Sequence, residues 1–271
     1  MKRKPLKSLV VSGNGINCEA ETAHANRLVG FDVDIMHINA LMSGAVAIHQ
    51  YDFINFPGGF LDGDDLGAAK AQAVKWKYQA GGSGVRFIDE LVRFVESGKL
   101  IIGICNGFQL LVKTGLLPAL GGVYGEQAVT LTFNNSGRFE DRWVYLKVNE
   151  LSSCIFTRDI DRIYLPVRHG EGKLVPADGA LQRLHAGGHV VMQYCDASGN
   201  VTEEYPLSPN GSTDAIAALC DASGRIFGLM PHPEAFVHFT QHPRWTRENL
   251  PEDGQGLAIF RNAFRYLDET T

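Results

Sequence analysis

The chain has 271 residues, 45% of them hydrophobic and 20% charged, which is typical of a soluble globular protein with a sizeable core. Its net charge of −5 and pI near 6.0 give no electrostatic reason to expect nucleic acid or an anionic membrane as a partner. The five cysteines have no metal-ligand spacing, and their odd number argues against a disulfide framework, so we expect a cytoplasmic location. No segment approaches the ~18 apolar residues of a membrane span.

The first half of the chain alternates short apolar runs with segments long enough for helices, the rhythm of βαβ units and a parallel sheet. The predicted strands lie at 6–13, 33–38, 52–59 and 99–105. A weaker helical pattern covers 18–30, and a stronger one covers 85–98, where Gly98 ends the helix. The apolar stripe of this second helix consists of Phe87, Ile88, Leu91, Phe94 and Val95.

The second half has a different texture. Runs at 142–148, 162–175 and 189–194 predict antiparallel or edge strands, and 215–221 with 226–230 predicts a hairpin. A polar, irregular segment follows at about 235–256, and a helix closes the chain at 257–267. We therefore predict one α/β domain over 1–271, with a mostly parallel sheet, helices on both faces and an antiparallel extension.

Cys105 lies at a predicted strand-to-helix turn, in the stretch Gly-Ile-Cys-Asn-Gly. Unpaired N–H groups and the dipole at the start of the helix favour an anion there, which is the reactive thiolate. Gly103 and Gly107 remove Cβ atoms where a tight elbow crowds its neighbours, as in the nucleophile elbow of hydrolases. The alternative is a buried cysteine that packs as a small hydrophobe, and the surrounding partners decide between the two.

A nucleophilic cysteine needs a base, and the base needs an orienting group. His232 follows an apolar run in the stretch Met-Pro-His-Pro-Glu, where the flanking prolines favour extended backbone. Residues two apart on an extended segment face the same way, so Glu234 is expected on the same side as His232. A turn that holds an incidental histidine and glutamate is the alternative.

Acyl transfer also needs N–H donors for the developing oxyanion. The glycine pair at 58–59 ends a predicted strand, and its N–H groups can be aimed freely. The N–H of Asn106, directly after the cysteine, is the natural second donor. A simple turn at the glycines is the alternative.

The remaining chemically active residues are expected to be structural or solvated. His238 and His242 fit no zinc spacing with His232, and we expect them on a surface loop and no metal site. The acidic residues at 62–65 are expected at a solvated helix start. The cysteines expected to be structural are Cys18, Cys154, Cys195 and Cys220.

Three segments in this order, PGGF at 57–60, GICNGFQLL at 103–111 and GLMPHPE at 228–234, resemble the class I glutamine amidotransferase family. The pairing of CNGFQ with MPHPE resembles the glutaminase subunits of phosphoribosylformylglycinamidine synthases. Further similar segments lie at 13–25, 134–144, 167–174 and 209–219. The chain departs from the usual short bacterial form after the glycine pair and beyond Glu234, where it is longer.

The resemblance implies a flavodoxin-like sheet of the class I amidotransferase type. It implies that Cys105 is the nucleophile, His232 the base and Glu234 the group that orients the base. It further implies an oxyanion hole from Gly59 and Asn106, glutamine binding by Gly58 and Gln109, and a mouth lined by 169–172 and 210–212.

The implied activity is hydrolysis of L-glutamine through a cysteine thioester, with ammonia passed to an ATP-dependent synthetase subunit. That large subunit would convert formylglycinamide ribonucleotide to formylglycinamidine ribonucleotide in purine biosynthesis, and a small bridging subunit is a candidate further partner. ATP and Mg are expected on the partner, and no cofactor in this chain, which has no G-x-x-x-x-G-K-[ST] motif. An amidotransferase subunit of another synthetase, a stand-alone cysteine hydrolase and a non-catalytic regulatory subunit are the open alternatives.

Overall fold

Nine strands form one mixed sheet in the computed structural model, which describes residues 4–270. Two further strands, β5 and β8, form a small separate sheet. In chain order the strands of both sheets are β1 Lys7–Ser12, β2 Asp32–His37, β3 Phe53–Phe56, β4 Leu100–Ile104, β5 Val129–Thr132, β6 Glu140–Val148, β7 Arg162–His169, β8 Lys173–Pro176, β9 Val190–Cys195, β10 Ile216–Cys220 and β11 Ile226–Leu229. The helices are α1 Glu19–Leu28, α2 Ile38–Met42, α3 Lys70–Tyr78, α4 Phe87–Glu96, α5 Asn106–Thr114, α6 Ala180–Ala186 and α7 Leu257–Thr270.

The large sheet has a parallel half and an antiparallel half. Its strand order is β2-β1-β3-β4-β11-β10-β9-β6-β7, and the first five strands run parallel to one another. From β11 onward each neighbouring pair is antiparallel, beginning with the predicted hairpin of β10 and β11. The prediction of a parallel sheet with an antiparallel extension is therefore confirmed.

One predicted strand is divided in two. The run at 162–175 begins as β7 at the edge of the large sheet, but the chain turns after His169. The remainder, β8, pairs with β5 in a separate two-stranded antiparallel sheet. The two glycines at 170 and 172 lie between β7 and β8, where the sequence reading expected continuous strand.

The strand order also explains why helices cover both faces. The chain runs from β1 outward to β2, and then from β3 to β4 in the opposite direction across the sheet. Right-handed crossovers in opposite directions put their helices on opposite faces. Accordingly α1 packs against α7, whereas α3 packs against α4 and α5. Strands β3 and β4 are buried throughout, as expected for parallel strands covered on both sides.

The predicted helices are confirmed. All five residues of the stripe on α4 are buried, and Gly115 ends α5 in a left-handed conformation with φ of 77°. Between α7 and the last strand, the irregular segment at 235–256 contains a short 3₁₀ turn at Phe239–Gln241 and no strand or α-helix. Among the helices of residues 4–270, none is long and apolar enough to cross a membrane.

The parallel half of the sheet determines where a site can form. Strands β1, β3, β4 and β11 are neighbours that run the same way, so the loops after them gather at one edge. Sites in open α/β sheets lie at this carboxyl edge. The glycine pair, Cys105 and His232 each follow one of these strands.

Candidate active site

Cys105 occupies a strained elbow between β4 and α5. Its φ of 51° and ψ of −105° lie outside the regions that residues with a side chain usually adopt. A Cβ on Gly107 would lie 1.9 Å from the Phe56 carbonyl oxygen, and one on Gly103 would lie 2.6 Å from Leu111 Cδ1. The two glycines therefore permit the tight turn, and the strain falls on the cysteine itself, as in a nucleophile elbow.

The thiol points into a pocket at the carboxyl edge of the sheet. Cys105 is 6% exposed, and its Sγ lies 3.5 Å from the carbonyl oxygen of Arg168 at the end of β7. The pocket has a volume of about 250 Å³. It is lined by Asn17, Cys18, Gly59, Phe60, Asp64, Cys105, Gln109, Phe133, Phe139, Arg168, His169, Gly170, Glu171 and His232.

His232 and Glu234 form a buried pair beside this thiol. His232 Nδ1 lies 2.6 Å from Glu234 Oε1, and the two residues are 2% and 1% exposed. Burial disfavours the imidazolium, but the charges of Glu234 and Cys105 outweigh it and raise the pKa of His232 well above its usual value. His232 Nε2 is buried and has no hydrogen-bond partner among the described residues.

The backbone conformation that brings His232 and Glu234 together differs from the predicted one. His232 itself is extended, with φ of −108°, and its N–H donates to the Pro166 carbonyl oxygen at 2.8 Å. Pro233–Ala235, however, is a 3₁₀ turn, so the prediction of a continuous extended segment is wrong. The tight turn carries Glu234 back toward the imidazole, which is why the contact forms without strand alternation.

The two predicted oxyanion donors lie near Cys105 in different ways: Gly59 lines the same pocket, and Asn106 directly follows the cysteine. Gly59 has φ of 146°, and a Cβ there would lie 2.5 Å from the Gly15 carbonyl oxygen, so only glycine fits. The loop is held by hydrogen bonds from the Phe60 N–H to Gly15 and from the Asn17 N–H to Gly58, which leave the Gly59 N–H out of the pairing. Asn106 is the first residue of α5, where backbone N–H groups have no partner within the helix.

The side chain of Asn106 has a second role that the sequence did not indicate. Its Oδ1 accepts from the Leu61 N–H at 3.0 Å, and its Nδ2 donates to the Asp64 carboxylate at 3.1 and 3.2 Å. Nδ2 also donates to Gln109 Oε1 at 2.9 Å, and Gln109 Nε2 donates to the Glu171 carbonyl oxygen at 2.5 Å. Gln109 thus forms pocket wall with both ends of its amide engaged.

Asp64 corrects the expectation of a solvated helix start at 62–65. The segment Leu61–Asp64 is a kinked 3₁₀ turn in which Asp62 and Asp64 both have positive φ. This conformation turns Asp64 into the pocket, where burial raises the pKa of its carboxyl group. Two acidic residues thus line the pocket, because Glu171, between β7 and β8, also belongs to its lining.

A second buried imidazole, that of His169, lines the pocket. Its Nδ1 lies 3.1 Å from Asn134 Oδ1, and the Asn134 amide is oriented because its Nδ2 donates to the carbonyl oxygens of Arg138 and His169. Nδ1 therefore carries the proton. Burial, with repulsion from His232, lowers the pKa of His169 to about 3, so this imidazole is neutral at any working pH.

The predicted mouth segments behave differently from each other. His169, Gly170 and Glu171 line the pocket as expected. Asn210 and Ser212 are instead buried behind it, where Asn210 Nδ2 and Ser212 Oγ donate to the Gly172 carbonyl oxygen at 2.8 and 3.3 Å. The segment 210–212 is a brace for the pocket loop and not part of its lining.

Cys18 was expected to be structural, but it lines the pocket. It precedes α1 in the loop after β1, and a loop after β1 reaches the same edge as the loops after β3 and β4. Cys18 Sγ, a ring nitrogen of His232 and a carboxylate oxygen of Glu234 lie within 4.8 Å of one another, a spacing that could hold a metal ion. Gly58, predicted to bind glutamine, is not among the lining residues but lies against one of them: a Cβ on it would lie 2.8 Å from His232 Cε1.

The other predicted non-functional residues lie away from the pocket. Cys154, Cys195 and Cys220 are free and buried, in agreement with a structural role. His242 was predicted on the surface, but it is 4% exposed and its ring packs 5.5 Å from that of Trp143 on β6. This burial depends on a tertiary contact between the irregular segment and the antiparallel half of the sheet.

The chain is similar to known glutamine amidotransferases over nearly its whole length. A family model described as the CobB/CobQ-like glutamine amidotransferase domain matches residues 5–267. The chain is 48% identical over 261 residues to a phosphoribosylformylglycinamidine synthase subunit PurQ of Dehalococcoides mccartyi, covering 96% of this chain and 97% of that one. It is 42% identical over 274 residues to the PurQ of Methanococcus maripaludis, covering 97% and 98%. A solved structure of PurLQS from Thermotoga maritima has a chain that matches with a TM-score of 0.71 and 29% identity, over 97% of this chain and all of that one.

Proposed function

Because the chain belongs to the CobB/CobQ-like glutamine amidotransferase family, we propose that it is the glutaminase subunit of a phosphoribosylformylglycinamidine synthase. One observation carries the chemical part of this proposal. Cys105, in an elbow of the kind that holds a nucleophile, lines the same pocket as the paired His232 and Glu234. The relatives that carry the name of this synthase cover nearly the full length of the chain, which supports the choice of acceptor reaction.

The first half-reaction forms a thioester. The Cys105 thiolate attacks the side-chain amide carbon of L-glutamine, and the carbonyl oxygen becomes an oxyanion in the tetrahedral intermediate. Protonated His232 then donates its proton to the nitrogen as the carbon–nitrogen bond breaks, releasing ammonia. The raised pKa of His232 supports this step, because the imidazole must hold a proton next to a thiolate.

The second half-reaction restores the thiol. Neutral His232 takes a proton from water, the resulting hydroxide adds to the thioester carbonyl, and the carbon–sulfur bond breaks to give glutamate and thiolate. Glu234 keeps the imidazole in the tautomer with a proton on Nδ1, so that Nε2 faces the reacting atoms. The contact of 2.6 Å between Glu234 and His232 is the support for this role.

We assign the oxyanion hole to the N–H groups of Gly59 and Asn106. Asn106 directly follows Cys105 and Gly59 lines the same pocket, and loss of one such donor typically costs about 10²–10³ in turnover. For substrate recognition, we assign the α-ammonium group of glutamine to the carboxylates of Asp64 and Glu171, which line the pocket. Gln109 would act as a wall whose position the Asn106 hydrogen bond fixes.

The mouth of the pocket suits attachment to a synthetase subunit. Three aromatic side chains that line it are solvent-exposed: Phe60, Phe133 and Phe139. Exposed apolar surface around a site marks an interaction surface. Ammonia released at Cys105 would meet bulk water unless a partner covers this mouth, and in water near neutral pH it would become ammonium, which is not a nucleophile. We therefore assign docking of the synthetase to this aromatic rim.

The proposal is tested by Cys105→Ala in the assembled complex. Glutamine-dependent synthesis of formylglycinamidine ribonucleotide should be abolished, whereas synthesis driven by added ammonium salt should continue, because the partner carries ATP and acceptor chemistry. Glutamine-dependent synthesis by the Cys105→Ala complex would refute the assignment of Cys105 as the nucleophile. The unaltered complex serves as the reference. If it used both glutamine and ammonium salt with a different acceptor, and neither with formylglycinamide ribonucleotide, the result would instead support an amidotransferase of another synthetase.

A further inference from the structure

His169 is a pocket residue to which the proposed reaction gives no role. It ends β7, is 2% exposed and lines the same pocket as Cys105 and His232. The carbonyl oxygen of the preceding residue, Arg168, lies 3.5 Å from Cys105 Sγ, so the chain passes the nucleophile at this point. A positive charge on His232 also repels one on His169, which makes the two imidazoles neighbours.

One edge and one face of the His169 ring are occupied by residues outside the pocket lining. Nδ1 lies 3.1 Å from Asn134 Oδ1 and donates to it. A Cβ built on Gly172 would lie 2.4, 2.5 and 2.7 Å from Cε1, Nδ1 and Nε2, nearly equal distances that put Gly172 over the ring face. Neither Asn134 nor Gly172 lines the pocket, whereas His169 does. The edge that carries Nε2 is therefore the polar edge left for the pocket.

His169 Nε2 is a buried acceptor without a donor. It has no hydrogen-bond partner among residues 4–270. Because Nδ1 holds the proton and burial lowers the pKa of the ring to about 3, Nε2 carries a lone pair and has no proton to donate. Buried polar groups in native proteins are nearly always paired, and an unpaired one calls for a partner. A molecule that enters the pocket can supply that partner.

The γ-carboxamide of glutamine carries the donor that this acceptor lacks. Its nitrogen has two N–H groups, whereas the carboxylate of glutamate offers only acceptor atoms, which the lone pair of Nε2 disfavours. When the Cys105 thiolate adds to the amide carbon, the nitrogen becomes pyramidal, and its new lone pair must face the protonated His232. An acceptor that holds one N–H fixes the nitrogen in this orientation.

We propose, on the basis of the proposed glutaminase function, that His169 Nε2 accepts a hydrogen bond from the γ-carboxamide N–H of glutamine. This bond selects an amide over a carboxylate or an ester and turns the nitrogen lone pair toward His232. His169 exchanges no proton in the reaction, so it is a specificity-determining residue and not a second base. Asn134 and Gly172 position its ring.

Two substitutions separate the two nitrogens of the ring. His169→Asn keeps an N–H donor near the position of Nδ1 and removes the acceptor at Nε2. His169→Gln places an amide oxygen near the position of Nε2 and removes the donor to Asn134, whose Oδ1 still accepts from the Gly172 N–H at 2.9 Å. Thermal melting checks that both variants fold.

The assay compares hydrolysis of glutamine and of glutamate γ-methyl ester by the complex with the synthetase. In the ester, Cys105 attacks the same carbonyl carbon and methanol leaves with the proton from His232, but the leaving oxygen carries no N–H. His189→Asn is the matched control, because His189 is 3% exposed, has its Nδ1 3.0 Å from the Cys220 carbonyl oxygen and does not line the pocket.

His169→Asn should lower kcat/KM for glutamine about tenfold, the upper range for one hydrogen bond, and leave that for the ester near the unaltered value. The loss should be the same at every pH of the profile, since the ring stays neutral. His169→Gln and His189→Asn should keep the unaltered preference for glutamine over the ester. Equal losses on both substrates in His169→Asn, or a preference lost equally in His169→Gln, would overturn the inference. An unaltered complex that hydrolyses the ester but not glutamine would overturn the proposed function and this inference with it.

Discussion

Gly58→Ala is expected to slow catalysis by one to two orders of magnitude, about 30–100-fold, while the chain still folds. Gly58 has no positive φ, so its backbone accepts alanine without conformational strain. The added Cβ, however, would lie 2.8 Å from His232 Cε1 and 3.5 Å from Cys105 Cβ. The new methyl group would thus push directly on the base that must face the thiolate.

The size of the effect follows from this overlap. Carbon atoms in contact are about 3.5–4.0 Å apart, so the imidazole or the loop must move by at least about 0.7 Å. A misplacement near 1 Å can cost about 10²-fold in rate, which corresponds to about 2.7 kcal/mol in the activation free energy. Overpacking itself costs about 1–3 kcal/mol of unfolding free energy. We expect kcat/KM for glutamine to fall about 30–100-fold, with a folded protein.

The assay is glutamate release by the complex with the synthetase, with thermal or denaturant unfolding of the isolated chain in parallel. The matched control is Gly13→Ala, whose Cβ would lie 2.9 Å from Leu61 Cδ1, a comparable overlap with a side-chain end that does not line the pocket. The control should lose stability and keep near-normal turnover. Equal turnover of Gly58→Ala and the unaltered protein would refute the idea that this glycine gives His232 its space.

Two further predictions concern the base and the rim. Glu234→Gln removes the carboxylate charge that raises the pKa of His232. The alkaline limb of the kcat/KM–pH profile, where His232 loses its proton, should therefore move to lower pH. An alkaline limb that stays in place would contradict the pairing of Glu234 with His232. Phe133 is 70% exposed beside the pocket, and Phe133→Ser should weaken synthetase binding by about tenfold without lowering thermal stability. Binding is measured by calorimetric titration with the synthetase. The control is Leu151→Ser, because Leu151 is 89% exposed and does not line the pocket, and it should bind the synthetase normally. Equal binding by the two variants would show that the synthetase docks elsewhere.

The parts of the site that the sequence predicts are those that depend on local backbone geometry. Cys105 between two glycines indicates an elbow because only a tight turn needs both Cβ atoms absent, and the observed φ of 51° agrees. The parallel and antiparallel halves of the sheet are also readable, because parallel strands such as β3 and β4 are continuous apolar runs.

The parts that the sequence does not predict depend on contacts between distant segments. Cys18 lies 87 positions before Cys105 in the printed sequence, and only the adjacency of β1, β3 and β4 brings the loops after them together. That adjacency follows from the strand order, so a topological argument from the carboxyl edge could have indicated Cys18. No comparable signal marks His242, whose burial requires the ring of Trp143 from another element.

Local backbone conformations that the sequence pattern did not indicate account for the rest. Asp62 and Asp64 have positive φ, which an acidic cluster alone does not indicate. The 3₁₀ turn at Pro233–Ala235 likewise replaces the extended backbone that the two prolines suggested. In both places the contact, of Asp64 with Asn106 and of Glu234 with His232, depends on a backbone turn that the sequence pattern did not predict.

The most direct test of thioester chemistry at this site is covalent labelling with an electrophilic glutamine analogue, mapped by peptide mass spectrometry. The experiment compares the isolated chain with the synthetase complex, each with and without competing glutamine. We predict a single label on Cys105 in the synthetase complex, and competing glutamine should prevent it. The isolated chain should show the same label if its pocket is already formed without the synthetase. A label on Cys18 instead, a label that glutamine does not prevent, or no label in the complex would contradict the assignment of Cys105 as the nucleophile of a glutaminase.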